Sequence, residues 1–270
     1  MRAPGCRRVD VGPLAFSVVM SSDAPAAAAA PDPPAIVLVH GIGVSHRYLR
    51  RLHEVLAETR EVVSVDLPGF GGLPKPPGDL DVPAMATALA TVIESLGRGP
   101  VALVGHSMGT QWVVEVGLQR PDLVTDVVIM GPVTDSAHRS VVAQTAALAV
   151  DTLGETPRIN AIVFSDYLRC GPRWYLAQLR HMLTYPIEER VAQLKVPLVI
   201  IRGARDPIAG LEWCRHLRDR AARATVVQIP GGHHVVQESR PRAAASAILS
   251  LVTPTSDLTP SSVTAGAEEP

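Results

Sequence analysis

Val101-Ala102-Leu103-Val104-Gly105-His106-Ser107-Met108-Gly109 sets four apolar residues ahead of a serine that has glycine two positions to either side. An apolar strand that ends in Gly-X-Ser-X-Gly and runs into a helical pattern is the strand, elbow and helix of a serine nucleophile. To stand its hydroxyl clear of a sheet edge, Ser107 must occupy a strained turn in which the residues two away crowd the backbone. Glycine, lacking Cβ, fits there, and Gly105 and Gly109 meet the need. The turn also sets Ser107 at the N-terminus of the next helix, where unpaired N–H groups and the helix dipole favour developing negative charge. An ordinary glycine-rich strand-to-helix turn shows the same five residues, so their meaning depends on the rest of the chain.

A chain of 270 residues buries a large core, and α/β chains of this length often form one domain. The net charge of −1 comes without a Lys/Arg block, so no nucleic-acid partner is expected. Cys6, Cys170 and Cys214 are widely spaced and include no Cys-X-X-Cys, which fits neither a zinc ribbon nor a disulfide framework. Reduced thiols in a cytoplasmic protein are the simpler reading. No apolar stretch reaches the ~18 residues of a membrane helix, so no membrane partner is expected. Arg7-Arg8, Leu14 to Met20 and the Ala-rich run from Ala24 imitate the regions of a signal peptide. Asp10, Gly12 and Pro13 interrupt that pattern, and the same residues read as two short strands joined by a Gly-Pro turn.

Around the nucleophile strand the elements alternate. After the opening hairpin, the Ala- and Pro-rich run from Ser21 to Pro34 reads as a flexible loop. Strands are expected at Ala35 to His40, Val62 to Val65, Asp126 to Met130, Leu198 to Arg202 and Thr225 to Ile229. Helical spacing predicts Arg47 to Glu58, Pro83 to Leu96, Met108 to Arg120, Leu211 to Ala222 and Pro241 to Val252. This order implies a doubly wound, mostly parallel sheet with helices on both faces. Between Asp135 and Pro186 there are helices (Val141 to Leu153, Ile159 to Arg169, Arg173 to Tyr185) and no strand, the mark of an inserted helical cap. The expected division is a core of residues 7–134 and 191–252, a cap of 135–190, and a disordered Thr/Ser/Pro-rich tail of 253–270.

A serine hydroxyl needs a base, and the base an orienting acid. Asp206 follows the strand Leu198 to Arg202 through Gly203-Ala204-Arg205, and His233 follows the strand Thr225 to Ile229 through Pro230-Gly231-Gly232. Both lie just beyond the carboxyl ends of parallel strands, the edge where ligands meet such sheets. Asp206 also suits a helix cap before Pro207 or an ion pair with Arg202 or Arg205. His233 and His234 also suit a solvated loop, but adjacent histidines share no face and no His-Glu-X-X-His is present, so no metal is expected. In His40-Gly41-Ile42-Gly43 the glycines let backbone approach a substrate, which makes the N–H groups of Ile42 and Met108 the expected oxyanion pair. His40 itself reads as a brace for that loop. The turn matches neither a phosphate loop nor a dinucleotide fingerprint, and no cofactor is expected.

With these residues placed, the chain resembles the α/β-hydrolase superfamily over roughly residues 7 to 252. The resemblance rests on His-Gly-Ile-Gly at 40–43, Asp-Leu-Pro-Gly-Phe-Gly at 66–71, Gly-His-Ser-Met-Gly at 105–109, Gly-Ala-Arg-Asp-Pro at 203–207 and Pro-Gly-Gly-His at 230–233. It implies Ser107 as nucleophile, Asp206 as acid and His233 as base, because the glycine before His233 and Glu238 five residues after it match the family's loop better there than at His234. Asp135, after the strand ending at Met130, is the fallback acid that some members of the superfamily carry. Gly72 to Pro77 replaces a serine often found after Phe70, a departure that bears on the shape of the mouth.

These residues lead to an expected serine esterase acting on a small-molecule substrate, with small or medium acyl or aromatic esters as the class. Cleavage of a carbon–carbon bond and peracid formation are supported by the same triad within the superfamily, and a ligand-binding pseudo-hydrolase is the non-enzymatic alternative. Serine at the elbow argues against dehalogenase and epoxide-hydrolase chemistry, whose relatives carry aspartate there. Phe164, Tyr167, Trp174, Tyr175, His181 and Met182 are candidates for an apolar pocket, although residues at such spacing also pack a cap onto its core.

Overall fold

The computed structural model of the chain describes residues 5–21, 33–135 and 156–252. The helix expected at 141–153, most of the Ala/Pro-rich loop and the tail from 253 lie outside the described residues. β1 (Gly5–Val11) and β2 (Leu14–Met20) form the expected hairpin, turning at Gly12 with φ of 56°. There follow β3 (Ile36–Val39), α1 (Arg50–Leu56), β4 (Val62–Asp66), α2 (Val82–Ser95), β5 (Val101–His106), α3 (Gly109–Gln119) and β6 (Val124–Met130). Among the described residues three helices come next: α4 (Pro157–Cys170), α5 (Pro172–Thr184) and α6 (Ile187–Val191). The chain then alternates again through β7 (Leu198–Gly203), α7 (Leu211–Arg220), β8 (Ala224–Ile229), α8 (Val236–Ser239) and α9 (Pro241–Leu251).

The strands make one sheet in the order β1-β2-β4-β3-β5-β6-β7-β8. β2 is antiparallel to both neighbours and the other pairs are parallel, which is the expected α/β fold class. The continuous apolar runs follow from burial on both faces. Successive side chains leave a strand on opposite sides. Val37, Val39, Leu103, Val127, Ile129 and Ile200 accordingly join one core under α2, α3 and α7, while Leu38, Ala102, Val104, Val128, Met130 and Ile201 join a second under α1 and α9.

Helix starts follow local capping. Asp81 Oδ1 accepts the Ala84 N–H at 2.9 Å with proline in the first turn of α2, and Thr156 Oγ1 caps α4 at Ile159. The helix expected from Arg47 to Glu58 is broken instead: His46–Tyr48 is a 3-10 turn and α1 begins only at Arg50. There Ser45 Oγ donates at 2.6 Å to Asp166 of α4, so a tertiary contact bends the entry.

β3 has β4 on one side and β5 on the other, so the chain's direction of winding reverses between β3 and β5. The crevice at the carboxyl ends flanking such a point is where open α/β sheets take ligands. Residues 40–43, 107, 131–135, 203–206 and 230–234 all follow strands at that edge. Among the described residues no helix is long and apolar enough to cross a membrane.

Candidate active site

Ser107 has φ of 55°, a left-handed conformation that L-residues adopt only under constraint. Its N–H donates to Met130 O of β6 at 3.0 Å, and its carbonyl accepts from the N–H and hydroxyl of Thr110. The flanking glycines are needed sterically. A Cβ at Gly105 would collide with the Gly109 carbonyl, and a Cβ at Gly109 would stand 2.5 Å from His40 O and 2.7 Å from Val39 O. A Cβ at Gly41 would stand 2.9 Å from Ser107 Cβ. The elbow and the loop after β3 are therefore in contact, and the backbone N–H groups of Ile42 and Met108 belong to these two facing segments.

His40 is a brace, as expected. Its Nε2 accepts the Leu67 N–H at 3.1 Å, so the proton is on Nδ1, which donates to Gly41 O at 2.7 Å. Burial lowers its pKa, outweighing Asp66 and the Gly41 carbonyl, and keeps the ring neutral.

Asp206 follows β7 and is buried, and its two oxygens do separate work. Oδ1 accepts the N–H groups of Ile208 and Ala209 at 2.8 and 3.0 Å, the capping role, while Oδ2 faces a histidine. Burial raises its pKa, but the charge and hydrogen bond of that histidine and the two amides outweigh it and hold the carboxyl below its ordinary value. Arg202 makes no expected ion pair with this carboxylate. It donates to the carbonyls of Ala209 and Asp206 and so holds the loop from behind.

The histidine at Asp206 is His234, which corrects the expectation of His233. His234 Nδ1 lies 3.0 Å from Asp206 Oδ2, with both side chains buried, while His233 is half-buried. The path of the loop decides between them. Gly203 leaves no room for a Cβ against the carbonyls of Gly232 and His233, so the backbone of the two loops is pressed together and the next side chain turns toward Asp206. The His234 ring rests on Gly131, where a Cβ would come within 2.9 Å of Cε1. Gly131 directly follows Met130, whose carbonyl takes the Ser107 N–H. The alternative acid, Asp135, follows β6 on the same edge, and the Nδ1 partner is Asp206.

Of the residues expected in an apolar pocket, two stand at the loop after β3. Tyr167 of α4 and Tyr175 of α5, with ring centroids 5.3 Å apart, lie over Gly43, where a Cβ would be 2.6 Å from Tyr167 Cδ1 and 3.0 Å from Tyr175 Cδ2. Phe164 is corrected: at 65% exposure it leaves α4 on the solvent side. His181 Nε2 meets Asp79 Oδ1 at 2.7 Å, so it ties α5 to the loop before α2. Trp174 packs on Gly69 and Phe70, and the buried Met182 offers its carbonyl to Gln111 Nε2. These residues anchor the helices to the core.

Sequence reading missed a second anchor. Buried Asp166 of α4 accepts from Ser45 Oγ and, at 2.7 Å, from Arg47 Nη1, while His46 Nδ1 meets Asp66 Oδ2 at 2.6 Å. In the departing loop after Phe70, Lys75 Nζ donates to the carbonyls of Gly69 and Arg169 and closes the same seam.

The model of the alpha/beta hydrolase family matches residues 36–247. The (E)-2-((N-methylformamido)methylene)succinate hydrolase of Acinetobacter baylyi is 25% identical over 224 residues, covering 76% of this chain and 85% of that protein. The sn-1-specific diacylglycerol lipase ABHD11 of Mus musculus is 32% identical over 171 residues, 61% of this chain but only 53% of that protein. Among solved structures, a serine hydrolase involved in carbazole degradation has a TM-score of 0.75 and 21% identity, covering 92% of this chain and 98% of that one, a likeness of fold.

Proposed function

This chain belongs to the alpha/beta hydrolase family, and from that premise we propose that it is a serine hydrolase of carboxylic esters working through an acyl-enzyme. Ser107 is the nucleophile, His234 the base and Asp206 the orienting acid. The observation that carries this reading is the buried contact of His234 Nδ1 with Asp206 Oδ2 at 3.0 Å, on the same strand-end edge as a serine held at φ of 55°. A carboxylate only accepts, so the proton is on Nδ1 and Nε2 is the nitrogen left with a lone pair for the serine proton.

Ser107 Oγ attacks the ester carbonyl as His234 Nε2 takes its proton. The carbonyl oxygen becomes an oxyanion facing the Ile42 and Met108 amides, and the imidazolium returns the proton to the departing alkoxide. Water then attacks the acyl-enzyme by the same relay and releases the acid and Ser107. Asp206 stays ionised throughout and stabilises the imidazolium.

In this reading α4 and α5 belong to a cap on the core formed by the sheet and its flanking helices, and Tyr167 and Tyr175 form the aromatic wall of its acyl pocket. The substrate is a small molecule with a small or medium acyl or aromatic group. The free thiols of Cys6, Cys170 and Cys214 fit a reducing compartment, and we place the protein in the cytoplasm. Hydrolysis of p-nitrophenyl acetate and butyrate by the wild type should fall about 10³-fold or more in Ser107→Ala. Equal rates would overturn the assignment, and binding without turnover would identify a pseudo-hydrolase.

A further inference from the structure

His106, the residue between Gly105 and the serine, is buried, and both of its ring nitrogens are engaged. Its Nδ1 lies 2.7 Å from Tyr48 Oη and its Nε2 lies 2.9 Å from the carbonyl oxygen of His234. Tyr48 Oη in turn accepts the Gly41 N–H at 2.7 Å. Three loops are joined in one line: the turn after β3, the elbow, and the segment that carries His234.

The direction of every bond in this line is fixed. A carbonyl only accepts, so the His106 proton is on Nε2. Burial, and then the charge of His234, push the His106 pKa down to about 3, so the ring is neutral and Nδ1 offers a lone pair. The Tyr48 hydroxyl must donate its only proton there, and burial raises the Tyr48 pKa well above its ordinary value, so that proton is kept. Its oxygen is then left to accept from Gly41. No other arrangement satisfies these groups.

We infer that Tyr48 and His106 are positioning residues: they hold the backbone of His234 against the Gly41 turn, so that base, nucleophile and oxyanion loop keep one geometry. This rests on the assignment of Ser107 and His234 proposed above. His234 is then fixed at three places: Nδ1 on Asp206, carbonyl on His106, and ring on Gly131, with the His106 ring 4.7 Å from its own. The choice of imidazole has a chemical reason. It presents one donor and one acceptor across a rigid ring, and it stays uncharged while His234 becomes a cation during turnover. An arginine or lysine in its place would bring a positive charge beside that cation and oppose it.

The test is the rate at which a fluorophosphonate labels Ser107, followed by intact mass and peptide mapping, in wild type, His106→Leu, His106→Gln and Tyr48→Phe. Leucine fills the site without hydrogen bonds and should slow labelling about 10- to 100-fold, the scale of a misplaced catalytic group. Glutamine reaches the His234 carbonyl with its amide N–H and should recover most of that loss. Tyr48→Phe keeps the ring and should also slow labelling, and it carries the test if the leucine variant fails to fold. Wild-type rates in His106→Leu and Tyr48→Phe would overturn the inference alone. Equal losses in the leucine and glutamine variants would overturn the role of the His234 carbonyl. A wild type that takes no label at Ser107 would overturn the catalytic reading and this inference with it.

Discussion

Asp206 meets His234 at 3.0 Å through one carboxylate oxygen while its other oxygen caps Ile208 and Ala209. Asparagine at 206 can keep the capping bonds through its carbonyl oxygen but turns an NH2 group toward Nδ1. That selects the wrong imidazole tautomer and leaves Nε2 protonated. Asp206→Asn should therefore fold and lose about 10⁴-fold in kcat on p-nitrophenyl butyrate. Activity within tenfold of wild type, on an intact fold by circular dichroism, would contradict the pairing.

His46 and Asp66 give a pH-dependent contribution to stability. Burial alone lowers the His46 pKa, but the Asp66 hydrogen bond and charge, with Asp166 further off, outweigh it and raise the value above 6.5. A raised folded pKa means the contribution is complete below the unfolded value near 6.5 and is lost as pH climbs through the folded value. The Tm gap between wild type and His46→Gln should be larger at pH ~6 than at pH ~9. A gap that grows toward alkaline pH would reverse the sign.

Gly109 is held by contact with backbone. Alanine normally favours a helix over glycine, yet here its Cβ would lie 2.5 Å from His40 O, which cannot swing aside as a side chain does. Gly109→Ala should lower stability by about 1–3 kcal/mol in denaturant melts and reduce activity through displacement of the 40–43 loop. A stabilised protein would show that the elbow relaxes freely.

Tyr167 and Tyr175 overlie Gly43, beside the expected oxyanion loop. Tyr167→Ala should open the aromatic wall and shift kcat/KM toward longer or bulkier acyl groups across an ester series, with little change on acetate. An unaltered chain-length profile would place the acyl group elsewhere.

The frame of the site was legible because buried parallel strands write themselves as apolar runs. Val101–Val104 and Leu198–Ile201 could serve as little else, and the residues just past their ends lie at the ligand edge. What stayed hidden depends on contacts between distant segments. His233 and His234 are the same residue type one position apart, and the packing of Gly203 against their loop decides which faces Asp206. Phe164 and Tyr167 are both apolar at helical spacing, and only the docking of α4 separates the exposed ring from the one over Gly43. Asp166 joins Ser45 across 121 positions, beyond any local pattern. α6, five residues long, is too short to show a period.

The most direct measurement compares kcat/KM for p-nitrophenyl butyrate in His233→Ala and His234→Ala beside Ser107→Ala. The variants at 107 and 234 should both lose about 10³-fold or more, while His233→Ala should stay within a few-fold of wild type. Collapse of His233→Ala with His234→Ala left active would contradict it.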